Sequence, residues 1–121
     1  MKTVLLIDDE PGLARLVEMS IQRPDLPVGV DWADDLATAL EVSGRRRPDV
    51  VLLDLTLREE DGLAILPRLR EEPSLQGVPV VVFTVHDSRR DEAIGLGADG
   101  FLTKPFRQSE LEEALRPFLS G

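Results

Sequence analysis

The sequence of 121 residues contains no cysteine, no tyrosine and a single tryptophan. Without cysteine, disulfide bonds, thiolate metal sites and cysteine nucleophiles are all excluded. Any catalysis must therefore use oxygen and nitrogen groups. Long apolar runs are also missing, because the first one, at residues 4–7, ends at two aspartates and is too short for a secretory signal or a membrane span. We therefore expect a cytoplasmic protein with no membrane partner.

Positive charge is in the minority. The chain has 14 lysines and arginines against 23 aspartates and glutamates, which gives a net charge of −9. Such a surface repels phosphate backbones and anionic lipids, so nucleic acid is not an expected partner. The length fits one domain over residues 1–121, with no separate DNA-binding or catalytic module, and a hydrophobic fraction of 42% is enough for a core.

Short apolar runs alternate with segments of helical periodicity along the chain. Several runs are apolar at every position, as expected for strands that are buried on both faces of a sheet. Helix signals lie between them, with Pro11 at a first helical position, Asp34 as an N-cap, Gly44 as a stop and a capping box at 109–112. The predicted strands are 4–7, 28–32, 50–53, 80–83 and 101–102.

Alternating strands and helices predict an α/β fold, an open three-layer sandwich whose parallel sheet carries helices on both faces. The fourth helix is expected to be short, within 87–95. Pro67 lacks an N–H and would clash with the carbonyl of Leu63, so we expect the third helix to start late or to kink. Trp32, at the end of the second strand, is expected to pack against a neighbouring loop or to lie partly exposed.

Polar side chains follow four of the five predicted strands. The first strand is followed by Asp8 and Asp9, the third by Asp54, the fourth by Thr84 and the last by Lys104. In an open parallel sheet, ligands bind beyond the carboxyl ends of the strands. The sequence therefore predicts that these residues converge at one edge, although nearly the whole chain separates them.

Taken singly, each of these residues has a structural explanation. Asp8 and Asp9 could complement a helix dipole, but a carboxylate that follows an apolar strand, as Asp54 does, is costly without a partner. Together, clustered carboxylates suit Mg²⁺ and a bound phosphoryl group, and their mutual repulsion lowers the stability of the metal-free fold. Lys104 would neutralise a phosphoryl oxygen, Thr84 would donate a hydrogen bond, and a central carboxylate could be the nucleophile.

Five motifs carry a family resemblance: LIDDEP at 6–11, PDVVLLDL at 48–55, DG at 61–62, FT at 83–84 and GADGFLTKPF at 97–106. In this order, and over essentially the whole chain, they resemble the receiver (phosphoacceptor) domain of two-component response regulators of the stand-alone, chemotaxis-like type. The resemblance implies a flavodoxin-like sheet with the strand order 2-1-3-4-5.

The resemblance also implies a role for each site residue. Asp54 would accept a phosphoryl group from a histidine kinase or a histidine phosphotransfer protein, assisted by Mg²⁺ and Lys104. Asp9 and Asp54 would bind Mg²⁺ directly, Asp8 largely through water, and the backbone carbonyl of Thr56 would be a further ligand. The domain would assist its own phosphorylation and dephosphorylation without being a turnover enzyme.

The switch is implied in the same way. Thr84 and Phe101 would form the pair that reports phosphorylation to the fourth helix, the fifth strand and the fifth helix, and so to a downstream protein that the sequence does not identify. Phe101 has no hydroxyl and cannot gain the hydrogen bond that a tyrosine would make. The bond between Lys104 and Pro105 is expected to be cis.

Several positions are expected to tune the lifetime of the phosphoryl group or depart from the family pattern. Thr56, Val85 and His86 are the candidate tuning residues, and the bulk of Val85 could crowd the phosphoryl group. Arg58 stands where a proline is common in the family. The spacing from Thr84 to Lys104 is also shorter than usual, which could alter the output face.

Two other functions stay open from the residues alone. A phosphatase of the haloacid dehalogenase type also uses Asp, Thr, Lys and Mg²⁺, but that family has a second Asp two residues after the nucleophile, where Thr56 stands here. A receiver-like adaptor that works without phosphorylation is the other alternative, because of Arg58 and Val85. Since Gly121 closely follows the last helix, the chain could also be a fragment of a longer regulator.

Overall fold

The computed structural model describes residues 1–10, 12–21, 27–57 and 61–120, so the predictions on Pro11, Arg58 and Gly121 lie outside the described residues. The strands are β1 (Lys2–Ile7), β2 (Val28–Ala33), β3 (Val50–Asp54), β4 (Val80–Thr84) and β5 (Gly100–Thr103). The helices are α1 (Leu13–Ile21), α2 (Leu36–Arg45), α3 (Gly62–Glu71), α4 (Arg90–Gly95) and α5 (Gln108–Leu119), with short 3₁₀ turns at Pro73–Leu75 and Asp87–Arg89.

The strands form one parallel sheet in the order β2-β1-β3-β4-β5, which confirms the expected fold class and strand order. Side chains alternate between its two faces. In β1, Val4 and Leu6 pack with α1 and α5, whereas Leu5 and Ile7 pack with α2, α3 and α4. Because both faces are covered by helices, strands that are apolar at every position are the stable choice.

Both ends of α2 differ from the prediction. Asp35, not Asp34, is the N-cap, and its Oδ1 accepts a hydrogen bond of 2.7 Å from the Thr38 N–H. This hydrogen bond lowers the pKa of Asp35. The helix continues through Gly44 to Arg45, so Gly44 is not a stop. Two adjacent aspartates are equivalent as local signals, and the path of the chain out of β2 decides between them.

The predictions for the other helix starts have mixed outcomes. The capping interaction of α5 is not at 109–112, because the Arg107 N–H donates to Glu110 Oε1 at 2.8 Å. A late start of α3 is wrong, since Asp61 caps the helix and it begins at Gly62. Pro67 lies within the helix, and a kink there stays a prediction. The fourth helix is short, as expected. No helix among the described residues is long and apolar enough to cross a membrane.

Arg70 connects the end of α3 to the loops around β4 and β5. Its guanidinium donates to the carbonyl of Val78 at 2.8 Å, to Asp99 Oδ2 at 2.6 Å and to the carbonyl of Gly97.

We expect Arg70→Met to lower the free energy of unfolding by about 1–2 kcal/mol, because these acceptors lose their charged donor. Urea unfolding measures the loss, and Arg68→Met, an exposed position in the same helix, is the control. Equal losses in the two variants would contradict the prediction.

Candidate functional site

The carboxyl edge of the sheet carries the polar residues that the sequence singles out. Asp8 and Asp9 directly follow β1, Asp54 ends β3, Thr84 ends β4 and Lys104 directly follows β5. All strands run in the same direction, so these ends lie at the same edge. The bond from Lys104 to Pro105 is cis, the isomer expected from the sequence.

Three carboxylates form what we call the acidic cluster: Asp8, Asp9 and Asp54. Each offers an oxygen, and these oxygens all lie within 4.8 Å of one another. Asp8 is fully buried and Asp54 is 4% exposed, whereas Asp9 is partly exposed. Carboxylates this close together repel each other, and the two that are buried are costly to ionise without a cation.

Lys104 is the cation that the structure places against this cluster. Its Nζ lies 3.5 Å from Asp8 Oδ2, 3.6 Å from Asp54 Oδ2 and 3.6 Å from Glu10 Oε2. The same Nζ lies 4.7 Å from the centroid of the Phe83 ring, whose face favours a cation. One lysine therefore faces three carboxylates, so a further cation would lower the electrostatic cost of bringing them together.

Asp8 responds most strongly to this environment. Burial of its side chain, together with the nearby Asp54, raises the pKa of Asp8 to about 7, against the lowering effects of the Glu10 N–H and Lys104. The Glu10 N–H donates to Asp8 Oδ1 at 2.5 Å. A carboxyl group that loses its proton only near neutral pH marks a position where negative charge lacks compensation.

Two threonines link the acidic cluster to the end of β4. The Thr56 N–H donates to Asp54 Oδ1 at 2.8 Å, and Thr56 Oγ1 lies 3.3 Å from Thr84 Oγ1. Thr84 is fully buried, and its hydroxyl also accepts a hydrogen bond of 3.2 Å from the backbone N–H of His86. The Thr84 hydroxyl is therefore held beside Asp54 through Thr56.

An open pocket of about 240 Å³ lies over these groups. Asp54 and Lys104 line it together with Thr56 and Val85, and Asp9 and Glu10 complete the wall. Val85 is 57% exposed and so stands at the mouth of the pocket. The side chain of His86 is exposed. Small anions can therefore reach Asp54 from solvent past Val85.

The segment between β4 and α4 is attached to neighbouring elements by residues that the sequence analysis did not assign. Arg89 Nη2 lies 2.7 Å from Asp61 Oδ1, and this ion pair lowers the pKa of Asp61. Thr103 Oγ1 donates to Asp87 Oδ1 at 3.2 Å. These contacts join residues that are distant in sequence, so no local pattern could have indicated them.

Phe101, the aromatic residue expected in the switch, is partly buried in β5. It packs against the core on the α2, α3 and α4 face, and the guanidinium carbon of Arg90 lies 5.7 Å from its ring centroid. Arg90 is the first residue of α4. The ring of Phe101 is therefore in direct contact with the start of α4.

Trp32, which was expected to pack against a neighbouring loop or to lie partly exposed, also contacts the site. Its side chain is on the surface, with 43% of the residue exposed, but its indole Nε1 donates a hydrogen bond of 2.6 Å to the backbone carbonyl of Asp8. Both the contact with a neighbouring loop and the partial exposure were expected from the sequence, but the hydrogen bond to Asp8 was not. Glu10, which follows Asp9 directly, could have been found from its position alone.

Comparison with known proteins gives a match to the response regulator receiver domain over residues 4–116. The chain is 42% identical over 118 residues to the transcriptional regulatory protein TrcR of Mycobacterium tuberculosis. The aligned region covers 96% of this chain and 44% of TrcR. This chain spans about half the length of the first curated relatives it matches.

Solved structures agree in architecture. The chemotaxis protein CheY4 of Vibrio cholerae superposes with a TM-score of 0.85 at 26% identity, over 98% of this chain and 99% of that one. The receiver domain of the sensor histidine kinase PA1611 of Pseudomonas aeruginosa, which has a magnesium ion coordinated in its active site cleft, superposes with a TM-score of 0.80 at 24% identity, over 99% of this chain and 98% of that one.

Proposed function

The chain belongs to the response regulator receiver domains, the signalling phosphoacceptors of two-component systems, and from this premise we propose that Asp54 is its phosphoacceptor. The observation that carries the proposal is the position of this carboxylate. It is buried at the end of β3, 3.6 Å from Lys104 Nζ, and it lines a pocket that opens to solvent. A haloacid dehalogenase-type phosphatase would belong to another family, so the match excludes that alternative.

The donor set of the acidic cluster fits Mg²⁺. All its side-chain donors are carboxylate oxygens, which a hard cation prefers, and Lys104 is shared between Asp8 and Asp54. Asp9 and Asp54 would bind the ion directly, Asp8 through water, and the Thr56 carbonyl would complete the protein ligands. When bound, Mg²⁺ supplies positive charge that stabilises the phosphoryl oxygens.

The chain's own residues perform the transfer. A carboxylate oxygen of Asp54 forms a bond to phosphorus while the bond from phosphorus to the imidazole nitrogen of the donor breaks, and the electron pair stays on that nitrogen. Lys104 neutralises charge on a phosphoryl oxygen, and Thr84 donates a hydrogen bond to another. The Thr56 N–H orients Asp54 by holding its Oδ1 at 2.8 Å.

The domain also assists the loss of the phosphoryl group. A water oxygen bonds to phosphorus and releases a proton to solvent, the bond from phosphorus to the Asp54 oxygen breaks with its electron pair left on the carboxylate, and inorganic phosphate leaves. Val85 lines the pocket through which this water arrives, and Thr56 lines it as well. The exposed side chain of His86 lies two residues beyond Thr84. These three residues therefore set the lifetime of the phosphoryl group.

Thr84 and Phe101 carry the signal away from the site. When Thr84 turns its hydroxyl toward the phosphoryl group, it gives up its 3.3 Å contact with Thr56 Oγ1 and vacates space beside β5. The ring of Phe101 then moves into this space, and its contact with Arg90 transmits the change to the start of α4. The switched surface of α4, β5 and α5 binds a downstream protein.

The phosphodonor is a histidine kinase or a histidine phosphotransfer protein. Its imidazole has to approach Asp54 from solvent, so the donor must cover the mouth of the pocket. An apolar groove of about 370 Å³ adjoins that mouth and is lined by Leu13, Leu16 and Phe106, with Val85 and Lys104 shared between groove and pocket. Leu16 is 53% exposed there.

Intact-mass measurement with acetyl phosphate as the donor tests the proposal. We expect one phosphoryl group per chain when MgCl₂ is present and none when EDTA replaces it. Asp54→Asn should take up none, because the nucleophile is lost. Asp49→Asn is the matched control, since this carboxylate lies at the other end of β3, where it accepts a hydrogen bond from the Thr3 N–H.

Two results would contradict the assignment. If Asp54→Asn is labelled at the wild-type level, another residue is the acceptor. If wild-type protein takes up no label with Mg²⁺ present, the chain is not a phosphoacceptor, and the alternative of an adaptor that works without phosphorylation is favoured.

A further inference from the structure

Trp32 reaches the acidic cluster from the edge of the sheet, and we propose that it is a positioning residue for the peptide between Asp8 and Asp9. Its indole Nε1 donates a 2.6 Å hydrogen bond to the carbonyl of Asp8, although the two residues are 24 positions apart. This distance is slightly shorter than the range of about 2.7–3.2 Å that is usual for N–H donors. It acts on the backbone from which two of the three cluster carboxylates project.

The register of β1 and β2 explains why the Asp8 carbonyl needs this donor. The two strands pair from Lys2 with Val28 to Ile7 with Ala33, and beyond them the Asp8 N–H still donates to the Ala33 carbonyl at 3.0 Å. The next ladder bond would bring the Asp35 N–H to the Asp8 carbonyl. At Asp35, however, the chain turns away as the N-cap of α2. The indole N–H of Trp32 takes the place of the backbone N–H that a continued β2 would supply to the Asp8 carbonyl.

Asp8 is consequently held at three atoms. Its N–H donates to Ala33, its carbonyl accepts from Trp32, and its Oδ1 accepts the Glu10 N–H. The Asp8 carbonyl belongs to the peptide plane that leads into Asp9, so fixing this oxygen limits the rotation that would move either carboxylate. Core packing does not explain the position of the indole, because 43% of Trp32 is exposed.

This inference deepens the proposed function, because the peptide that Trp32 positions carries two of the expected Mg²⁺ ligands. Phenylalanine keeps an aromatic ring at position 32 but has no N–H donor. We expect Trp32→Phe to raise the dissociation constant for Mg²⁺ about 3- to 10-fold, the range of one hydrogen bond of ordinary net strength. Val30→Ala is the control, since it removes packing from the same strand and leaves the indole in place.

The experiment is ¹H–¹⁵N NMR of the full chain during titration with MgCl₂ at constant ionic strength. The chain has a single tryptophan, so one indole N–H resonance reports on Trp32. In wild-type protein this resonance should shift with the same dissociation constant as the Asp9 amide. In Val30→Ala the constant should stay within about twofold of wild type, because Val30 pairs with Val4 and not with the Asp8 end of β1, and distant sites without shared partners act independently.

Metal-free spectra give a second readout. The indole N–H should exchange slowly with solvent despite the exposed ring, and Trp32→Phe should shift the amide resonances of Asp9 and Glu10, whereas Val30→Ala should not. The proposal is overturned if the indole N–H exchanges as fast as in free tryptophan, or if Trp32→Phe binds Mg²⁺ like wild type. An equal loss of affinity in Val30→Ala would also overturn it. If wild-type protein binds no Mg²⁺, the proposed function fails, and the metal-free spectra still decide on Trp32.

Discussion

Gly62→Ala should lower the free energy of unfolding by about 3 kcal/mol or more and prevent phosphorylation. A Cβ at this position would lie 2.4 Å from the Cα of Leu55 and 2.7 Å from the carbonyl oxygen of Asp54. Both are backbone atoms, so no side-chain rotation can relieve the overlap. The start of α3 would have to move away from β3 and would displace the backbone of the phosphoacceptor.

Gly44→Ala is the matched control for this variant. Gly44 is exposed inside α2, and no atom lies within 4 Å of the position of its Cβ. Alanine should therefore stabilise the protein there by about 0.5–1 kcal/mol, because it restricts the unfolded chain and favours the helix. Urea unfolding followed by circular dichroism measures both effects. A loss of less than about 1 kcal/mol for Gly62→Ala would show that α3 packs less tightly against β3 than described.

Asp8→Asn should make the metal-free protein more stable at pH 8 by about 2–4 kcal/mol. Burial and the neighbouring Asp54 raise the pKa of Asp8 to about 7 in the folded state, whereas the unfolded chain ionises near pH 4. The free energy of unfolding therefore falls as the pH rises from about 4 to about 7, and above about pH 7 this decrease is complete. Asparagine cannot ionise, and its side-chain oxygen can still accept the Glu10 N–H.

The pH dependence distinguishes this explanation from improved packing. The advantage of Asp8→Asn should be larger at pH 8 than at pH 5.5 by about 2 kcal/mol, because the folded wild type is still mostly protonated at the lower pH. Asp9→Asn is the comparison, with a smaller gain expected because Asp9 is partly exposed. Urea unfolding in EDTA at both pH values measures these differences. A constant advantage, or none, would contradict the assigned cause.

Mg²⁺ should narrow the stability difference between wild type and these variants. A ligand at a free concentration about 100 times its dissociation constant stabilises a native protein by about 2.7 kcal/mol when the unfolded chain does not bind the ligand. Wild-type protein should show an increase of this order in thermal melts with MgCl₂, and Asp8→Asn and Asp9→Asn should respond less. The residues that weaken the metal-free fold are then the residues that bind the ion, so function and stability oppose each other at this edge of the sheet.

Much of the fold was predictable because its signals are repeated along the chain. Apolar strands alternate with one-sided helices, and a parallel sheet buried on both faces is the arrangement that satisfies both patterns. The polar residues that follow the strands, Asp54 and Lys104 among them, were then expected at one edge. Helix ends were less predictable, because neighbouring residues such as Asp34 and Asp35 carry the same capping chemistry.

The amino-acid sequence by itself determined the layer architecture and the residues at the carboxyl edge, since hydrophobic periodicity and strand ends are local properties. The tertiary structure alone decided which atoms meet. The ion pair of Lys104 with Asp8 spans 96 positions, and the contacts of Trp32 with Asp8 and of Gly62 with Leu55 join elements that pack at close range. Desolvation and hydrogen bonding change over fractions of an ångström, so the raised pKa of Asp8 and the exclusion of a side chain at Gly62 follow from packing, which no local pattern encodes.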